Sequence, residues 1–159
     1  MKASIRDIFP STYDAGQTDS SARYIGDVDR QLIADGTYYV FEVDGEIVAC
    51  GGWSKRAKLY TGSGASADDL RLLDPSTEPA HVRAMFTSLD WTRRGLGRRI
   101  LEACEAAAKA CGFGRLNLTA TLPGVPFYAS YGFRPVADHP VRMPDGVEVG
   151  ALDMEMRIV

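Results

Sequence analysis

Apolar and polar positions follow several rhythms along the chain, and each rhythm predicts an element. Over 97–111, Ile100, Leu101, Cys104, Ala107, Ala108 and Cys111 recur every three or four residues, while Arg98, Arg99, Glu102, Glu105 and Lys109 fall mainly between them. That spacing collects the apolar set on one face of a helix, which Gly112 can end. At the far end of the chain Leu152, Met154, Met156 and Ile158 alternate with Asp153, Glu155 and Arg157, the period of a half-buried strand. Residues 37–43 and 46–50 flank Asp44-Gly45, a pair suited to the positive φ of a two-residue hairpin turn.

The remaining segments read less sharply. Residues 4–9 are expected to form a first strand, ended by Pro10-Ser11, and 18–34 a mostly helical region stopped by Asp35-Gly36. Residues 55–78 are polar and loop-like, with Ser66-Ala67-Asp68-Asp69-Leu70 able to cap a short helix. Pro75 and Pro79 set off a strand over 81–88; a strand over 115–120, a short helix over 125–130 and a strand from Phe133 follow, with a turn at Pro144-Asp145-Gly146. Early strands are joined as hairpins and later ones separated by helices, which predicts a mixed α/β sheet. The helix between the strands near 85 and 117 should form a right-handed crossover, leaving those strands parallel.

Bulk properties narrow the function. At 159 residues the chain is expected to be a single domain, 1–159, with a net charge of −3 that argues against a general nucleic-acid or membrane-surface binder. No segment approaches transmembrane length and no signal peptide is evident at the N-terminus. Cys50, Cys104 and Cys111 form no CxxC pair and suit a reducing cytoplasm. No His, Cys and carboxylate set has metal-binding spacing, so no metal is expected.

Against this acidic background one stretch stands out. The run Met85-Phe86-Thr87-Ser88-Leu89-Asp90-Trp91 leads into Thr92-Arg93-Arg94-Gly95-Leu96-Gly97-Arg98-Arg99, which opens the amphipathic helix. The first N–H groups of a helix are unpaired and sit at its partly positive end, while glycine lets a ligand approach the main chain. With four arginines at the same turn, the arrangement suits a polyanionic cofactor tail.

Thr92-Arg93-Arg94-Gly95-Leu96-Gly97 resembles the cofactor motif of the GNAT acetyltransferase superfamily, Gln/Arg-x-x-Gly-x-Gly/Ala, with Thr92 in place of the usual Gln or Arg. About thirty residues downstream, Pro126-Phe127-Tyr128-Ala129-Ser130-Tyr131-Gly132-Phe133 is similar to that family's Phe-Tyr-x-x-x-Gly-Phe segment. The resemblance implies a central sheet of about six or seven strands, antiparallel at the start, with parallel fourth and fifth strands splayed for the cofactor and helices on both faces. It implies acetyl-CoA as cosubstrate, its pyrophosphate on the amides of Arg93, Arg94, Gly95, Leu96, Gly97 and Arg98. The pantetheine arm would pair with Phe86 and Thr87, and Thr121 stands where many relatives carry an asparagine that contacts pantetheine. Tyr128 takes the position of the proton donor to the leaving thiolate.

The expected reaction is therefore transfer of an acetyl group to an amine of a small molecule or peptide by direct attack on the thioester. The base is open among His81, Glu78 and Glu42. A non-catalytic acyl-CoA-binding sensor is the alternative, and a different phosphate binder a third reading. Closed symmetric assemblies are common among soluble proteins, so a homodimer is an expected partner.

Overall fold

The structure is a computed structural model that describes residues 1–58 and 70–158. Three short helices come first: α1 (Lys2–Ile8), α2 (Ala15–Tyr24) and α3 (Arg30–Ala34). The chain then forms β1 (Tyr38–Val43), β2 (Glu46–Ser54), β3 (Ala80–Thr87), α4 (Leu96–Ala110), β4 (Arg115–Thr121), α5 (Val125–Tyr131) and β5 (Arg134–Asp138). A small hairpin of β6 (Val141–Arg142) and β7 (Glu148–Val149) precedes the last strand, β8 (Ala151–Arg157).

Six strands make one mixed sheet in the order β1-β2-β3-β4-β8-β5, and β6 and β7 pair separately. All neighbours in the large sheet are antiparallel except β3 and β4, which α4 connects. The expected fold class holds, with one correction. The segment 4–9 belongs to helix α1 and a following 3₁₀ turn rather than a strand, so the parallel strands are the third and fourth. Ile5, Ile8 and Phe9 stand three and four residues apart, and this helical spacing carries them onto one inward face.

The helical region expected over 18–34 is two helices. A capping box of Asp14 and Gln17 starts α2, and Asp29 accepts from the Gln31 and Leu32 amides to start α3. Between them Gly26 is buried where a Cβ would stand 2.7 Å from the Ala22 carbonyl oxygen. The buried face of α2 is Thr18, Ser20, Ser21 and Ala22, too polar to show an apolar stripe. The short helix expected near 66–70 lies almost wholly outside the described residues.

Two clusters hold the layers together. The larger joins Ile100, Leu101, Cys104 and Ala108 of α4 to Val82, Leu116, Leu118 and Met154 of the sheet. The smaller joins Ile5, Phe9 and Tyr13 to Val141, Met143, Val149 and Ala151. Adjacent glycines show that helices cover both faces: a Cβ at Gly51 would meet Ile100 of α4, and one at Gly52 would meet Leu32 of α3.

Tyr13 fastens the N-terminal segment to the end of the sheet. Its hydroxyl donates to the Gly150 carbonyl at 2.5 Å and accepts from the Leu122 amide at 2.7 Å. Tyr13→Phe keeps the ring but strands both backbone groups, so urea unfolding should show a loss of about 1–3 kcal/mol. A change below a few tenths would mean that water takes over both partners.

Candidate active site

Helix α4 begins without a side-chain cap. Its first internal bond runs from the Arg99 amide to the Gly95 carbonyl at 3.1 Å, so the Leu96, Gly97 and Arg98 amides have no partner within the helix. The turn before it is shaped by two left-handed residues, Arg93 at φ 62° and Gly95 at φ 78°. Gly95 has open space where a Cβ would stand, whereas at Gly97 a Cβ would meet Phe127 at 3.0 Å. Gly95 therefore leaves room beside the main chain, and Gly97 lets α5 pack against α4.

The arginines of the turn have different surroundings. Arg94 stacks on Trp91 at 4.4 Å, and Arg98 lies over Tyr131 at 5.2 Å while donating to the Ser130 carbonyl at 3.3 Å. Arg99 lies over Phe41, away from the turn. Thr92, which stands where Gln or Arg is usual in the motif, donates its hydroxyl to Leu89 at 2.8 Å and closes the preceding 3₁₀ turn.

Beside this turn the sheet opens. Strands β3 and β4 pair only at Ala80 with Leu116 and at His81 with Asn117, then diverge. On its other side β3 carries a bulge in which Ala84 and Met85 oppose Gly51, with Ala84 at φ 56°. A bulge bends its strand and frees a residue from the ladder, which favours the divergence. Ser88 donates to Val48 across β2, so by antiparallel alternation the polar groups of Thr87 point into the opening and those of Phe86 toward β2. Ser4 of α1 already donates to the Thr87 carbonyl at 2.6 Å.

A cavity of about 870 Å³ fills the opening. Of the residues singled out from sequence, Phe86, Thr87, Arg93, Gly95, Leu96, Gly97, Arg98, Thr121 and Tyr128 line it; Arg94 stays on Trp91. The opposite wall, which no sequence motif marks, comes from Ser4, Ile5, Ile8 and Phe9 and from Val141, Met143 and Val149 of the small hairpin.

Tyr128 is half-buried, with its ring 5.1 Å from Phe127 and 5.9 Å from Phe133. Burial, with a smaller contribution from nearby Cys104, raises its phenol pKa well above the ordinary value, so it carries its proton at neutral pH. The three candidate bases lie elsewhere. His81 is buried with Nδ1 against the Asn117 side-chain oxygen, and burial lowers its pKa, leaving a neutral imidazole outside the cavity wall. Arg71 grips Glu78 at 2.7 Å and holds its carboxyl down to about 2, and Glu42 is exposed on β1. Among the described residues, the wall carries no carboxylate and no imidazole.

Arg83 supports the bulge from below. It is buried, pairs with buried Asp29 at 2.8 Å and also donates to the Lys58 carbonyl. Nothing local in the sequence marks this pair, whose members are 54 positions apart. Among the described residues, no helix is long and apolar enough to cross a membrane, and no group of three or more potential ligands could hold a metal ion.

The fold is similar to those of known acetyltransferases. A GCN5-related N-acetyltransferase of Rhodopseudomonas palustris superposes with a TM-score of 0.73 at 18% identity, over 98% of this chain and 84% of that one. PaiA N-acetyltransferase of Thermoplasma acidophilum, solved in complex with coenzyme A, gives 0.62 at 12% identity, over 98% and 87%. Ard1 of Thermoplasma volcanium gives 0.60 at 17%, over 92% and 95%. A search of curated protein sequences finds no match. The family model of the acetyltransferase (GNAT) domain matches residues 34–135, well over half of the chain, and the protein belongs to the GNAT acetyltransferase family.

Proposed function

We propose that this acetyltransferase is an N-acetyltransferase that uses acetyl-CoA and acts on an amine of a small molecule or a peptide, in the cytoplasm. The observation that carries this reading is one cavity shared by the uncapped start of α4, the splayed β3–β4 edge and the hydroxyl-bearing Tyr128. A sensor that only bound the cofactor would need the first two features and would have no use for the third.

The donor set fits the cofactor. The Leu96, Gly97 and Arg98 amides and the Arg93 and Arg98 side chains would hold the pyrophosphate, with the open space at Gly95 admitting it to the main chain. Thr87 and Thr121 present polar groups to an amide-rich arm. Bound acetyl-CoA supplies an electrophilic thioester carbonyl. A main-chain N–H on β3, beside the bulge, would donate to developing negative charge on that oxygen. Tyr128 holds a proton for the departing sulfur.

The test is thiol release from acetyl-CoA with a panel of amines, amino acids and peptides, beside calorimetric binding of acetyl-CoA. Amine-dependent release supports the transferase; binding without release from any acceptor supports the sensor. A matched pair of glycine variants tests the cradle. Gly95 and Gly112 both have positive φ, at 78° and 87°, so alanine should strain either backbone by roughly 1–2 kcal/mol. Only Gly95→Ala should also weaken acetyl-CoA binding, by about tenfold or more. Equal affinity in both variants would move the pyrophosphate off this turn.

A further inference from the structure

Among the described residues the cavity wall carries no base, but one wall residue contacts a carboxylate on the neighbouring strand. Thr119 lines the cavity from β4, two residues before Thr121 and on the same face of the strand. Its hydroxyl donates to Asp153 Oδ1 on β8 at 2.7 Å. The other carboxylate oxygen, Oδ2, is 2.8 Å from His139 Nδ1, just beyond β5. Asp153 and His139 are each about one-third exposed, at 34% and 33%. The chain of three groups thus runs from the cavity to solvent.

Among the described residues, the rest of this face offers no equivalent route. Asn117, the preceding residue on this face of β4, is engaged with His81, and Glu155 on β8 pairs with Arg115 at 3.1 Å. Arg83 is committed to Asp29. Among the described residues, Asp153 is the carboxylate held by the hydroxyl of a residue that lines the cavity, Thr119.

Resting on the N-acetyltransferase reading, we propose that Asp153 is the base, acting through Thr119, and that His139 is a positioning residue which orients the carboxylate. The protonated acceptor amine gives one proton to the Thr119 oxygen as the threonine's own proton passes to Asp153 Oδ1, which then releases it to solvent. The freed nitrogen lone pair forms the C–N bond, and the C–S electrons leave with sulfur. Tyr128 protonates the sulfur and is itself restored by a second proton lost from nitrogen. Two protons leave the amine: one ends on the thiol and the other in solvent. In this arrangement the His139 Nδ1–H donates to Oδ2, which leaves Oδ1 to Thr119.

The experiment is a double-mutant cycle of Thr119→Val and Asp153→Asn, read by turnover with an accepted amine and by calorimetric binding of acetyl-CoA. Each single variant should lose about 10²-fold in kcat with little change in acetyl-CoA affinity, and the double variant should lose no more than either single one. Thr119→Ser should rescue most of what Thr119→Val loses. Nitrogen-15 NMR of the ligand-free protein should identify Nδ1 as the protonated nitrogen of His139. Turnover undiminished in Thr119→Val overturns the relay alone, as do losses that multiply in the double variant; an unprotonated Nδ1 overturns the role of His139. A wild-type protein that binds acetyl-CoA but acetylates no amine overturns the transferase reading and the relay with it.

Discussion

Tyr128→Phe is expected to lower kcat by about 10²–10⁴-fold, the usual contribution of a positioned acid or base. Acetyl-CoA affinity should be unchanged, because phenylalanine keeps the ring that packs against Phe127 and Phe133. The high phenol pKa is central to the expectation: the group enters each cycle as O–H, the form an acid requires. Steady-state rates with a saturating amine, set beside calorimetry, separate the two quantities. Turnover within twofold of wild type would reduce Tyr128 to a packing residue between α5 and the sheet.

The second large effect concerns stability. Asp29→Ala leaves Arg83 as a buried cation without its carboxylate, a change that typically costs on the order of 3–5 kcal/mol. It also removes the cap of α3, worth about 1 kcal/mol. Asp29→Asn separates these contributions, since an amide oxygen can still cap the helix while the charge is gone. Urea unfolding of both variants gives the comparison. A loss below about 1 kcal/mol in Asp29→Ala would mean that Arg83 finds water or another partner when Asp29 is removed.

Much of the frame is legible in the sequence because its signals are local. The apolar positions of α4, the Asp44-Gly45 turn and the alternation in β8 lie within a few residues of one another, and each produced the element expected of it. The turn before α4 is legible for the same reason, since Arg93, Gly95 and Gly97, which shape it, are neighbours in the chain. Helix α1 was hidden because seven residues hold barely two helical turns, and Ile5, Ile8 and Phe9 can be read at either period. The groups behind the cavity were hidden by distance along the chain. Thr119 and Asp153 are separated by 34 positions, Arg83 and Asp29 by 54, and Tyr13 and Gly150 by 137. No local pattern announces such pairings, which exist only after the strands have taken their order. His81 misled for a related reason: its residue type suits a base, but folding carries it into the core beside Asn117.

The walls of the cavity come from different parts of the chain. The α4 turn, β3, β4 and Tyr128 all fall within the stretch that carries the family's signature. The facing wall, made by α1, Phe9 and the small hairpin, falls wholly outside it on either side. Under the proposed N-acetyltransferase reading such an enzyme is modular: the half that would grip the shared donor comes with the family, and we propose that the facing half meets the acceptor and is free to diverge. On that reading, exchanging residues 1–9 and the small hairpin between relatives should alter acceptor preference, with a hydroxyl kept at position 4 to hold the Thr87 carbonyl.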